Sequence, residues 1–416
     1  MMTAFDIKSP QPLMNEPQLR TDIAASWSVF LVFLRLGLTS FGGPIAHLGY
    51  FHEEFVTRRR WLSESSYADL VALCQFLPGP ASSQVGIALG LSRAGYMGAV
   101  AAWAGFTLPS AIVLILFALG ISNYADVMPA GVLQGLKVAA VAVVVQAVWG
   151  MARTLCTDNM RITMMAIAAV AALLASPLWG QVAIIMVAAL AGLWLFKPAQ
   201  NSTLDALPVA VSRRAGILCL ALFFVLLAGL PVLAQLVQNH MIALVDAFFR
   251  AGSLVFGGGH VVLPLLQAQV VPSGWVSNDA FLAGYGAAQA VPGPLFTFAA
   301  FLGAAMNAGA PAWITGLICL LAIFAPSFLL VIGVLPFWER LRHHQRTRAA
   351  LAGVNVSVVG LLLAALYQPV WTSAIYRPHD FGLALIALVA LMFWKVPPWL
   401  VVICSGVAGW LLSIAA

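Results

Sequence analysis

Apolar positions in this chain come in long runs. Stretches at 96–122, 127–149, 215–237, 314–337 and 349–367 approach or exceed the roughly 20 residues a helix needs to cross a bilayer. The pattern predicts an all-α, polytopic integral membrane protein. Two segments break it. ALCQFLPGPASSQVGIALG (72–90) and GAAQAVPGPLFTFAAFLG (286–303) each carry Pro-Gly-Pro inside sequence that is otherwise apolar enough for lipid.

These two segments belong to a repeat that runs through the chain. FLRLGLTSFGGP (33–44) aligns with FFRAGSLVFGGG (248–259), which pairs Arg35 with Arg250, and Gly42 and Gly43 with Gly257 and Gly258. Trp61-Leu62-Ser63 then falls on Trp275-Val276-Ser277, Gln75 on Gln289, and Pro78-Gly79-Pro80 on Pro292-Gly293-Pro294. Gly135-Leu136-Lys137 meets Gly353-Val354-Asn355. The division that follows is a polar tail (1–23), a first repeat (24–197), a linker (198–214), an extra transmembrane helix (215–238) and a second repeat (239–416).

Charge sets the two repeats in opposite orientations. Arg58, Arg59 and Arg60 precede the first Trp-Leu-Ser, whereas the matching 271–273 carries no charge. Later the bias reverses: 121–129 has no base, but ERLRHHQRTR (339–348) has four arginines. Matching loops of opposite basic bias belong on opposite faces of the membrane. Two inverted-topology repeats are the common build of secondary transporters, often with broken or re-entrant half-helices. On this reading the linker and the 339–348 loop are cytoplasmic and the C-terminus is periplasmic.

Composition agrees. Hydrophobic residues make up 62% of the chain and charged residues 8%, against roughly 25% charged in soluble domains. The first 25 residues lack the apolar core of a cleavable signal peptide. The five cysteines are scattered without metal-ligand spacing, so no metal site or disulfide framework is expected. No GxxxxGK[ST] occurs, which argues against an ATP-driven pump, and nothing points to nucleic acid.

The breaks carry the candidate chemistry. Proline ends one helix and is favoured in the first turn of the next, so each Pro-Gly-Pro turns a half-helix N-terminus into the membrane. Its unpaired amides and dipole suit an anion. Around the first break, Ser82, Ser83 and Gln84, next to Ala81, add hydroxyl and amide donors; Thr297 is the sparser counterpart at the second. The Gly42-Gly43 and Gly257-Gly258 turns could add amides for an oxyanion. Arg35, Arg250 and Lys137 lie within apolar runs, where a charge needs a partner or a cavity; they either compensate the anion or pair with carboxylates. His260 is a candidate proton carrier. Glu53 and Glu54, beside Arg58–Arg60, read as a solvated charged face.

FGGP, RRRWLSESSYADLVALCQFLPGPASSQV, FRAGSLVFGGGHVVLPLL and GWVSNDAFLAGYGAAQAVPGP together resemble the CHR family of chromate ion transporters in its long, two-domain form. The resemblance covers nearly the whole chain. It implies export of chromate across the bacterial inner membrane, driven by the proton motive force and conferring chromate resistance. Sulfate is the implied competitor and protons the implied coupling ion; a homodimer is compatible, and no cofactor is implied. The rival readings are transport of another oxyanion, such as sulfate, and a membrane-embedded enzyme. The latter would need carboxylates or a histidine cluster within the membrane.

Overall fold

The computed structural model describes residues 23–123, 130–174, 177–196, 211–256, 259–306, 309–341 and 345–415. The 1–22 portion of the tail, most of the linker (197–210) and Gly257 and Gly258 lie outside the described residues. Among those described, the chain is helical and contains no strand.

The first repeat comprises α1 (Ile23–Thr39), α2 (Gly43–His52), a π-helical turn (Glu53–Arg58), α3 (Glu64–Phe76), α4 (Ala81–Asn123), α5 (Ala130–Leu155), α6 (Asn159–Leu174) and α7 (Pro177–Leu195). Next comes α8 (Arg213–Val237), which has no counterpart in either repeat. The second repeat follows the same order: α9 (His240–Leu254), α10 (Val262–Val270), α11 (Asn278–Ala290), α12 (Phe298–Ala305) and α13 (Ala312–Val334). A short α14 (Trp338–Leu341) leads to α15 (Gln345–Ala365), α16 (Pro378–Met392) and α17 (Pro398–Ala415). Helix α4 corresponds to α12 and α13 together. It is itself broken at Ala94-Gly95, where the backbone leaves helical geometry.

Among the described residues, five helices are long and apolar enough to cross a membrane. The sequence explains several boundaries directly. Ser63 accepts the Ser66 N–H and caps α3, and Ser277 accepts the Ala280 N–H and caps α11. The repeated Trp-x-Ser is therefore a repeated N-cap. Both capped helices have 13 residues, which is about 20 Å of helix and too short for the ~30 Å hydrocarbon layer. Both end at the Pro-Gly-Pro breaks.

The repeats exchange their last helices. Helices α16 and α17 pack on α5, while α6 and α7 pack on α15. Small residues let the backbones meet. A methyl group on Gly135 would sit 2.0 Å from the Ser405 carbonyl, and one on Gly353 would sit 2.1 Å from that of Ala188. The inverted repeats are thus interlocked through matching glycines. Helix α8 packs on α9 and α13, and only 6% of its most apolar window is buried, so it faces lipid at the periphery.

Candidate functional site

The two breaks are held by each other's repeat. The Gly79 N–H donates to the Val255 carbonyl at 2.7 Å, and the Gly293 N–H donates to the Ser40 carbonyl at 3.0 Å. Ser40 and Val255 immediately precede the two Phe-Gly-Gly sequences. The Pro-Ser pairs of the long helices follow the same exchange. A methyl group at Gly79 would meet the Ser327 hydroxyl at 2.8 Å, and one at Gly293 would meet that of Ser110 at 2.8 Å. Each Pro-Gly-Pro is therefore seated on the other repeat's Phe-Gly-Gly entrance and Pro-Ser bend.

At the first break α4 opens with Ala81, then Ser82, Ser83 and Gln84, the last three almost fully buried. The Gln84 amide donates back to the Pro78 carbonyl at 2.7 Å, and its Oε1 has no partner. Ser83 and Ser327 are buried with hydroxyls that bond to nothing. Leaving such groups unpaired costs stability, so their retention points to a ligand. Ser82 lies 3.4 Å from Nδ1 of His47.

The second break is drier. Its chain continues as a 3₁₀ turn, Leu295–Thr297, in which the Thr297 hydroxyl is committed to the Pro294 carbonyl at 2.7 Å. A small cleft nevertheless adjoins it, with a volume of 20 Å³. Gly42 and Gly43 of the first repeat line it, facing His260, Gln289 and Gly293 of the second. No side chain caps the N-terminus of α2 at this point, and the Gln289 Nε2 is buried without a partner. His260 is tied through Nδ1 to the Tyr285 hydroxyl at 2.8 Å. A larger groove of 380 Å³, between Val113, Leu136, Val291, Val402 and Trp410, is lined only by apolar residues and glycine and offers a dianion nothing.

Two of the three candidate cations are paired with carboxylates. Lys137 on α5 donates to Asp279 on α11 at 2.9 Å, and its ammonium lies 5.7 Å from the Tyr376 ring centre. Arg250 pairs with Asp246 one turn earlier. Arg35 is exposed, and its charge acts on Glu54. Asn355, the counterpart of Lys137, has an unpaired Oδ1. Gln75 is exposed at the last turn of α3, unlike Gln289.

Glu54 differs from the solvated face expected of it. It is 6% exposed and accepts from Arg58 and Arg59, both at 2.6 Å. Burial alone would raise its pKa. The Arg59 hydrogen bond and the charges of Arg58, Arg59 and Arg35 outweigh that and hold the carboxyl below its usual range. Glu53 remains exposed.

Four buried residues near the breaks stand outside the candidate set: Ser40, His47, Asp69 and Ser327. Asp69 on α3 is 1% exposed and accepts from the Trp338 indole of the other repeat at 3.1 Å. His47 lies four residues past Gly43, but its repeat counterpart is Val262, so the alignment passes over it. Ser327 stands in the repeated Pro-Ser pair, where the motif could have marked it.

A family described as Chromate transporter matches residues 27–193 and 242–410, once per repeat. A chromate transport protein of Pseudomonas aeruginosa is 30% identical over 96% of this chain and 93% of its own length. A probable chromate transport protein of Synechococcus elongatus is 26% identical, covering 91% and 93%. An uncharacterized transporter of Methanocaldococcus jannaschii is 26% identical over 92% and 94%. No solved structure matches. With a family match in each repeat and relatives aligned end to end, the chain belongs to the chromate transporter family, and it is a transporter, not an enzyme.

Proposed function

We propose that the chain exports chromate from the cytoplasm and confers chromate resistance, with the oxyanion held between the repeats at the Pro-Gly-Pro breaks. One observation carries the site. The uncapped start of α2, at Gly42 and Gly43, faces the unpartnered Gln289 amide across a cleft whose far wall is the Gly293 break. Helix-terminal amides and a free side-chain amide are the donors a tetrahedral oxyanion needs. Ser83 and Ser327 offer further unsatisfied hydroxyl donors around Gly79, and Gln84 holds the turn through its bond to Pro78. Ser82 joins them, and the prolines and Ala81 shape the turns.

A cleft of 20 Å³ holds about one water and no five-atom oxyanion. Binding therefore requires the repeats to part at the Gly293–Ser40 contact. Such parting, on alternate faces, gives alternating access. Lys137, Arg250 and Arg35 contribute charge at a distance and through their carboxylate partners.

Energetics favour export. At 100 mV, interior negative, moving one negative charge outward releases about 2.3 kcal/mol, so a dianion gains about 4.6 kcal/mol, roughly three decades of gradient. The assigned membrane is the bacterial inner membrane, with the linker and the 339–348 loop cytoplasmic and the C-terminus periplasmic.

The test is labelled chromate flux in inverted inner-membrane vesicles with and without the protein, with sulfate and molybdate as competitors. Protein-dependent, potential-driven uptake supports export. Uptake of sulfate in preference to chromate would replace the substrate, and no flux of any oxyanion would reject the reading.

A further inference from the structure

The two polar regions meet at one side chain that the repeat pattern does not mark. His47 is 1% exposed, on α2. Its Nε2 is 3.2 Å from the Ser40 carbonyl and its Nδ1 is 3.4 Å from the Ser82 hydroxyl. The same Ser40 carbonyl accepts the Gly293 N–H.

This arrangement fixes the polarity of the ring. A carbonyl has no hydrogen to give, so Nε2 must carry the N–H. In the neutral imidazole Nδ1 is then bare, and the Ser82 O–H donates to it. The chain of bonds runs from Ser82 through His47 to Ser40, where Gly293 also donates. In this state Ser82 has spent its only hydrogen and cannot donate to an oxyanion.

We propose that His47 is the proton site of the transport cycle, switching Ser82 from a donor to the ring into a donor to the oxyanion. A proton arriving at Nδ1 makes that nitrogen a donor to the Ser82 oxygen. The hydroxyl hydrogen is released and turns toward the N-terminus of α4, where Ser83 also has an unused hydroxyl. No other bond is made or broken. The inference rests on the oxyanion reading above and adds to it a proton bound at the same time as the substrate.

The charge environment makes proton and anion depend on each other. The one titratable group on α1 is Arg35, which is exposed and acts on Glu54. Helix α4 presents the Phe106 ring edge-to-face at 5.2 Å, and its one charged residue, Arg93, lies over the Trp61 ring. On the element of His47 itself, Tyr50 is exposed, His52 bonds Glu64 and Glu54 is held by arginines. From the second repeat comes His260, whose Nε2 is 4.0 Å from where a Gly43 methyl would stand, with Tyr285 behind it. No carboxylate touches His47 among the described residues. A buried imidazolium needs a counter-charge, and a dianion at the breaks needs a cation that the paired Arg250 and Lys137 do not freely supply. Each ligand thus raises affinity for the other, a reciprocal linkage.

His260 does not offer this switch. Its Nδ1 partner, the Tyr285 hydroxyl, can donate or accept, so its polarity is not set.

The experiment is calorimetric titration of the purified full chain with chromate in two buffers of different ionisation enthalpy, between about pH 5 and 8. Wild type is expected to take up about one proton per anion, with affinity falling about tenfold per pH unit above the histidine titration. In His47→Gln that uptake should fall by about one proton relative to wild type; chromate's own protonation enters both titrations and drops out of the difference. Ser82→Ala should retain proton uptake yet lose at least about tenfold in affinity at the acidic end. Wild-type proton uptake in His47→Gln, no uptake in wild type, unchanged affinity in Ser82→Ala, or loss of linkage in His260→Gln alone would each overturn the proposal. Should His47→Gln aggregate, the wild-type and Ser82→Ala arms still decide it. A wild-type protein that binds no oxyanion at any pH would instead overturn the transport reading beneath it.

Discussion

The Gly79 amide hydrogen-bonds the Val255 carbonyl, 176 residues away in the chain, at 2.7 Å. Its mirror image, Gly293 to Ser40, closes the other break at 3.0 Å. Neither Pro-Gly-Pro is a local kink; each is a joint between repeats. Any motion that parts the repeats must strain or break these two bonds, so on the proposed reading substrate access and the joints coincide.

Substituting the joints should therefore cost both stability and flux. Gly79 and Gly293 have φ of 125° and 105°, a region that side chains rarely adopt. A methyl at Gly79 would also lie 2.6 Å from Nε2 of Gln84. Gly79→Ala should destabilise the fold by roughly 1–3 kcal/mol and lower chromate flux at least about tenfold. Gly293→Ala should behave alike, since its methyl would be 2.8 Å from the Ser110 hydroxyl. Thermal melts and vesicle uptake read the two effects. Wild-type behaviour from both variants would mean the joints are incidental.

The buried, unpartnered hydroxyls of Ser83 and Ser327 allow function to be separated from folding. Removing a hydroxyl that bonds nothing leaves no partner stranded, so Ser83→Ala and Ser327→Ala should melt at or above the wild-type temperature. A hydrogen bond to a charged ligand contributes about 1.5–3 kcal/mol. Chromate affinity in each variant should accordingly fall roughly ten- to a hundredfold. Unaltered binding at unaltered stability would remove these residues from the site.

Much of the fold is legible in the sequence because the repeat writes it twice. The Trp-x-Ser caps, the Pro-Gly-Pro breaks and the Gly135/Gly353 crossing are all local signals with a second copy. What binds the copies together is not legible. The Gly79–Val255 and Gly293–Ser40 bonds are made by backbone, which leaves no residue signature. The carboxylate partner of Lys137 lies 142 residues away. His47 is hidden because symmetry offers a valine in its place. Glu54 misleads for a different reason. Three adjacent arginines read as surface, yet two of them fold back on its carboxylate.

That carboxylate predicts a pH dependence outside the spans. Its folded-state pKa lies below that of an ordinary glutamate. A depressed carboxylate contributes stability above its unfolded pKa and loses it as pH falls through the folded value. Glu54→Gln should thus lower the melting temperature at neutral pH. Its deficit should narrow as pH drops below about 4.5. Melts of wild type and variant at neutral and acidic pH make the comparison; a constant gap would assign the loss to packing.

Lys137 and Asp279 tie α5 of one repeat to α11 of the other, and the two ends of the pair are not equivalent. The Lys137 side chain is 9% exposed, the Asp279 side chain 69%. Removing the carboxylate strands a buried ammonium with only the Tyr376 ring for company, whereas removing the ammonium returns Asp279 to water. Asp279→Asn should therefore cost about 1–3 kcal/mol, less than the loss on breaking a fully buried pair. Lys137→Met, which keeps the stem's packing, should stay within about 1 kcal/mol of wild type. Adding Lys137→Met to Asp279→Asn should restore most of the lost stability, because the stranded charge is gone. Flux should follow a different order. If Lys137 supplies positive charge to the oxyanion path, Lys137→Met transports poorly despite its stable fold, and the double variant stays inactive although its melting temperature recovers. Recovery of flux together with stability would instead make the pair a purely structural clasp between the repeats.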